Sequence, residues 1–133
     1  MSEEQQNRIT MLEKARQACT NSYCVYSKFP VGACIRSNTG EFYQGCNVEN
    51  ASYALTICAE ASAIANMINS GCKQIKEIFV FSNLASQCSP CGGCRQLIHE
   101  FSSDNTKIHL CDSDGSNIKT FSIADLLPKP FVL

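Results

Sequence analysis

Four residues in two short stretches could do chemistry together. Cys58-Ala59-Glu60 is followed downstream by Pro90-Cys91-Gly92-Gly93-Cys94. Cysteine thiolates are soft ligands that suit Zn2+. Three of them leave the fourth tetrahedral position open to water, which marks a catalytic site rather than a structural one. Zinc brings the pKa of such a water down toward about 7, so it can attack at neutral pH. Residues two apart at a helix start point to different sides. Cys58 can therefore hold metal while Glu60 faces the substrate and serves as both base and acid.

The same cysteines admit a plainer reading. Cys88, Cys91 and Cys94 form a C-x-x-C-x-x-C run, and with Cys58 they could close a four-cysteine structural zinc site or hold an iron–sulfur cluster. Pro90 interrupts that run, and neither alternative has a use for Glu60. A His or Cys two residues before Glu, followed at a distance by Pro-Cys-x-x-Cys, is instead the signature of zinc enzymes that deaminate nucleobases. There, water adds to an amidine-like carbon such as C4 of cytosine, and ammonia leaves. The remaining cysteines (Cys19, Cys24, Cys34, Cys46, Cys72, Cys111) lie mostly in apolar periodic stretches and are expected in the core. His99 and His109 lie outside both motifs and are expected to be structural. Asp112 and Asp114 flank a turn, and turn chemistry accounts for them.

Alternating elements must position these residues. Residues 3–22 predict an amphipathic helix with Ile9, Leu12, Ala15 and Cys19 on one face. Residues 31–37 and 41–46 predict a hairpin around Asn38-Thr39-Gly40. A helix rich in small residues is expected over 57–70, stopped at Gly71. The apolar run 75–82 reads as a central buried strand, and 92–101 as the next helix. Residues 107–112 and 117–123 predict two strands. The gap between them, Ser113-Asp114-Gly115-Ser116, is too short for a crossover helix, so they must pair antiparallel. The expected fold is α/β: a three-layer αβα sandwich around a mixed five-stranded sheet. Both cysteine motifs fall at helix N-termini, where the positive end of the dipole favours thiolate.

At 133 residues the chain is expected to form one catalytic domain, 1–133. It has ten cysteines, but the opening stretch is polar and lacks the apolar region of a signal peptide, so export is not expected. Disulfides are therefore not expected, thiolate ligands are, and the expected location is cytoplasmic. No apolar run is long enough for a membrane span. The net charge is −1 and no Lys/Arg cluster is present, which argues against DNA or RNA as a partner.

Further segments carry a resemblance over nearly the whole length. Tyr26-Ser27-Lys28-Phe29-Pro30-Val31-Gly32-Ala33, Asn47-Val48-Glu49-Asn50-Ala51-Ser52-Tyr53, Cys94-Arg95-Gln96 and the C-terminal Leu126-Leu127-Pro128 with Phe131, together with the cysteine motifs, resemble the short, homotetrameric cytidine deaminases. The resemblance implies one Zn2+ on Cys58, Cys91 and Cys94, Glu60 as the catalytic acid–base, and hydrolysis of cytidine and 2′-deoxycytidine in pyrimidine salvage. It implies that Asn47 and Glu49 bind the ribose hydroxyls; spaced i, i+2 on an extended segment, they share a face. Phe29 would pack on sugar and base, and Ala51 would belong to the substrate-binding segment. Tyr53 and Phe131 would reach or close a neighbouring subunit's site. The Ala59 N–H would bond the pyrimidine O2, and the Ser89 carbonyl would accept from the 4-amino group. The sites would be shared within a homotetramer.

One position departs from the resemblance. Members with three cysteine ligands commonly carry Arg directly after the catalytic Glu, where this chain has Ala61. Three thiolates on Zn2+ leave a formal negative charge that weakens the metal as a Lewis acid. Arg95, the helix N-termini or N–H bonds to sulfur are expected to compensate.

Overall fold

The computed structural model describes residues 1–133. The elements run α1 (Glu3–Thr20), β1 (Gly32–Ser37), β2 (Phe42–Cys46), α2 (Ala59–Asn69), β3 (Ile75–Phe81), α3 (Gly92–Glu100), β4 (Lys107–Leu110), β5 (Lys119–Ser122) and α4 (Ile123–Leu126), with a 3-10 turn at Tyr53–Leu55. The strands form one sheet in the order β2-β1-β3-β4-β5. Only β3 and β4 are parallel; β1 is antiparallel to both β2 and β3, and β5 to β4. This is the expected αβα sandwich.

Alternation along the strands divides the core in two. Ala33, Ile35, Ile78, Val80, Ile108 and Leu110 point toward Ala59, Ala63 and Met67 of α2 and Ile98 of α3. Cys34, Phe79, Phe81 and Cys111 point the other way, toward Met11, Ala15 and Cys19 of α1. Burying these faces on both sides of the sheet is the main driving force for the fold. α1 is capped by Ser2, whose hydroxyl accepts from the Gln5 N–H while the Gln5 side chain accepts from the Ser2 N–H. The two hairpins turn where the spacing predicts, with Gly40 and Gly115 at φ +91° and +88°.

Three expectations need adjusting. The buried face of α1 is Met11, Ala15, Ala18 and Cys19; Ile9 is 37% exposed and Leu12 half-buried. The last strand ends at Ser122, because Ser122 and Asp125 form a reciprocal cap that starts α4. Of the six cysteines assigned to the core, Cys19, Cys34 and Cys111 are buried, whereas Cys24, Cys46 and Cys72 are only half-buried.

Two glycines seat helix backbones directly on the sheet. A Cβ on Gly32 would lie 2.0 Å from the Ala15 carbonyl oxygen in α1. One on Gly45 would lie 2.2 Å from the Ala63 nitrogen and 2.6 Å from the Ala59 carbonyl oxygen. Gly45 thus fixes the first turns of α2, and with them Cys58 and Glu60, against β2.

Candidate active site

Cys58 is the N-cap of α2 and Cys91 the N-cap of α3. Cys94 lies one turn into α3 and is buried. The two helix starts bring the three sulfurs within 4.8 Å of one another. A tetrahedral set of zinc–sulfur bonds of about 2.3 Å needs sulfurs about 3.8 Å apart, so small adjustments close the site. Cys88 is not in this group. Burial pushes its thiol up to about 11, and the nearby Glu60 carboxylate acts in the same direction.

The charges explain why a cation belongs here. Burial pushes the Cys58 and Cys94 thiols up, and the nearby Glu60 carboxylate pushes both further. Cys91 is lowered, chiefly by the backbone N–H of Cys94 at 3.5 Å and also by that of Gly93. Glu60 is 4% exposed, and burial raises its carboxyl above the ordinary range. No cationic side chain pairs with these groups. Three thiols and a carboxylate crowded together without a cation fit a Zn2+ site, since metal is the remaining way to hold them deprotonated.

Residues 5–110 match the profile of the cytidine and deoxycytidylate deaminase zinc-binding region. The chain belongs to this family. It is a hydrolytic deaminase with a zinc site. Its relatives include a cytidine deaminase of Mycoplasma pneumoniae, 42% identical over 120 residues that cover 89% of each chain. Another, from Sporosarcina psychrophila, is 36% identical over 91% of this chain and 88% of its own. The crystal structure of a cytidine deaminase from Burkholderia pseudomallei superposes with a TM-score of 0.87, at 33% identity, over 98% of this chain and all of that one.

In this deaminase the segment Asn47–Glu49 lies beside the metal ligands. Val48 exchanges both backbone hydrogen bonds with Ile57, the residue before Cys58, each at 2.9 Å. On its other side, Tyr23 donates to the Asn47 carbonyl and Glu49 donates to the Tyr23 carbonyl. Glu49 accepts from the Tyr26 and Ser27 N–H groups, each at 3.0 Å, and from the Ser27 hydroxyl. These donors hold its carboxyl below the usual range, the Ser27 hydroxyl most strongly. Asn47 Oδ1 accepts from the Val31 N–H at 2.9 Å and from the Ser22 hydroxyl. Its Nδ2 donates to the Phe29 carbonyl at 2.9 Å. One N–H of the Asn47 amide is thereby used, and Phe29 is fastened to the segment. A cleft of about 360 Å³ opens beside Glu49, lined also by Tyr26, Ser27, Asn50, Tyr53 and Thr56.

The other expected residues are placed as follows. Ala59 is buried at the first position of α2; the first intrahelical bond there runs from the Ser62 N–H to the Cys58 carbonyl, so the Ala59 N–H precedes it. Ser89 is exposed, just before Pro90. Ala51 is exposed, and Tyr53 is 80% exposed at the start of the 3-10 turn. Phe29 is exposed, and Phe131 is 70% exposed.

Arg95 does not offset thiolate charge. Its guanidinium donates to the Pro90 carbonyl, the Leu126 carbonyl and the Ser89 hydroxyl, each at 2.8 Å. The observed compensation is the α3 N-terminus, through the N–H groups on Cys91. Sequence reasoning singled out Arg95 and Gln96 as part of a motif, but missed their contacts to the C-terminal tail, which are made to Leu126 and Phe131, more than 30 positions downstream.

Proposed function

We propose that this deaminase converts free cytidine and 2′-deoxycytidine to uridine and 2′-deoxyuridine with release of ammonia, in pyrimidine salvage. The observation that carries the reading is the backbone pairing of Val48 with Ile57. It holds two polar side chains, Asn47 and Glu49, one step from a metal ligand, as recognition of a ribose beside a reacting base requires. The names of the relatives support the same substrate class.

Zinc, when bound, supplies a water acidic enough to attack C4 at neutral pH. Glu60 takes a proton from the attacking water and delivers it to ring N3. It then takes the remaining proton of the hydroxyl added at C4 and gives it to the 4-amino group, so that the C4–N4 bond breaks, ammonia leaves and a carbonyl remains at C4. Its buried position keeps bulk water from competing for that proton. The Ala59 N–H donates to O2, and the Ser89 carbonyl accepts from the 4-amino group. Uracil, which lacks that amino group, leaves the carbonyl unpaired. Asn47 and Glu49 hold the ribose hydroxyls, and Phe29 packs on sugar and base beside Ala51. A phosphate on the 3′-oxygen would face the Glu49 carboxylate, which disfavours polymers as substrates.

The chain acts, in this reading, as one catalytic unit over 1–133, in a homotetramer with shared sites. Tyr53, Leu55, Ile57 and Phe131 form part of a set of exposed apolar side chains, and large exposed apolar patches mark association surfaces. Tyr53 and Phe131 then complete a neighbouring subunit's pocket. No helix is long and apolar enough to cross a membrane. Its free thiols suit a reducing compartment, and we place the enzyme in the cytoplasm. The test is ultraviolet absorbance of cytidine with purified protein. Absorbance should fall, stop on chelation and resume on adding Zn2+. Turnover unaffected by complete metal removal would contradict the proposal.

A further inference from the structure

Gln96 follows the ligand Cys94 by two residues on α3 and reaches the far end of the chain. Its Nε2 donates to the Phe131 carbonyl at 2.9 Å, and its Oε1 accepts from the Phe131 N–H at 3.0 Å. Only a side-chain amide offers a donor and an acceptor side by side that match both groups of one backbone residue. Arg95 pins the same tail further back, through the Leu126 carbonyl. Chain termini ordinarily fray unless tied down. Here the tie does not serve burial: the Phe131 ring is 70% exposed, and Val132 and Leu133 beyond it are exposed as well. The backbone of an exposed aromatic residue is thus fixed to the helix turn that carries Cys94.

We infer that Gln96 is a positioning residue, which sets the stance of the Phe131 ring as cover of the nucleoside pocket in the assembled enzyme. The inference rests on the reading of Phe131 as that cover. A glutamine used only to stabilise the fold would gain as much from any residue of the tail. The bidentate clamp falls instead on the one residue whose ring is left free for another surface.

Steady-state kinetics with cytidine test this in Gln96→Leu, Gln96→Glu, Phe131→Ala and the double variant Gln96→Leu/Phe131→Ala. Gln96→Leu should raise KM roughly tenfold, the scale of one to two lost hydrogen bonds. Its kcat should stay within about threefold, with zinc content and melting temperature unchanged. Gln96→Glu keeps the acceptor for the Phe131 N–H and should raise KM less. In the Phe131→Ala background, Gln96→Leu should add less than about twofold, because the two act as one unit. If Phe131→Ala raises KM while Gln96→Leu does not, or if their effects multiply, the inference is overturned and the cover reading survives. If Gln96→Leu loses zinc, stability and kcat together, its role is structural and the inference is overturned. If Phe131→Ala leaves KM unchanged, the cover reading fails and takes the inference with it.

Discussion

Glu60 and Glu77 are both buried carboxylates, at 4% and 2% exposure, and they lie on opposite sides of the same sheet with opposite chemistry. Glu77 sits on β3 facing α1. Its Oε2 accepts from Arg36 Nε at 2.7 Å, and its Oε1 from His109 Nε2 at 2.9 Å. His109 Nδ1 in turn lies 2.8 Å from the Thr120 hydroxyl, so the network links β1, β3, β4 and β5. Burial alone would raise Glu77, but the bonds and charges of His109 and Arg36 outweigh it and hold the carboxyl down at about 2. Glu60 has no cationic partner, and burial raises it. Burial alone therefore does not decide what a carboxylate does; its partners do. Glu77 is locked ionised and binds strands together. Glu60 is left unpaired beside the metal ligands, as the proposed proton shuttle requires.

The largest expected effect falls on the catalytic side. Cys58→Ala should abolish both zinc binding and turnover, and fold poorly, because the metal ties the starts of α2 and α3 together. Metal analysis and a thermal melt check this; a variant that binds zinc stoichiometrically would break the comparison. On the other side, Glu77→Gln removes the negative charge between His109 and Arg36 and turns one of their two acceptor oxygens into a donor NH2. It should cost about 3 kcal/mol of stability, measured by denaturant unfolding. The pH dependence sharpens this. A carboxyl held at about 2, against an ordinary 4.5, contributes its full stability above about 4.5 and loses it as pH falls toward 2. The stability gap between wild type and Glu77→Gln should therefore narrow through that window. Zinc loss in acid is common to both and cancels. Gly45→Ala drives a methyl into the α2 backbone and should cost about 1–3 kcal/mol, with reduced turnover, since it displaces the turn bearing Glu60. A variant with wild-type melting temperature and turnover would show that Gly45 does not set that turn. The smallest effect belongs to Cys88→Ala, which should keep zinc and turnover within about twofold; loss of metal would restore the four-cysteine reading.

The two regions also differ in how far the sequence reveals them. Cys58, Glu60, Cys91 and Cys94 can be read in the chain because ligand chemistry demands a local spacing and helix starts supply it. Two features of the sheet are readable for a similar reason: the apolar run of β3 has to be central, and the short Ser113–Ser116 turn forces β5 antiparallel to β4. The Arg36–Glu77–His109 network is not readable, because its members meet only through strand register, and nothing local to any one of them names its partners. The Gln96–Phe131 clamp escapes for the same reason. α4 was hidden by Phe121 and Ile123, whose alternation with Ser122 imitates a strand, although the Ser122–Asp125 cap was a signal that could have found it. On α1, Ile9 suggests a buried face, but the helix docks where Gly32 lets Ala15 and Cys19 approach, which turns Met11 and Ala18 inward.

The most direct test of the account sets the two carboxylates side by side: cytidine turnover per bound zinc, with melting temperature, for Glu60→Gln and Glu77→Gln. Glu60→Gln should lose at least about 100-fold in turnover, the low end of what general acid–base transfer contributes, while keeping zinc and its melting temperature. Glu77→Gln should melt lower yet turn over within about threefold per folded, zinc-loaded chain. More than a tenth of wild-type turnover in Glu60→Gln, or a comparable turnover loss in a fully folded Glu77→Gln, would contradict the account.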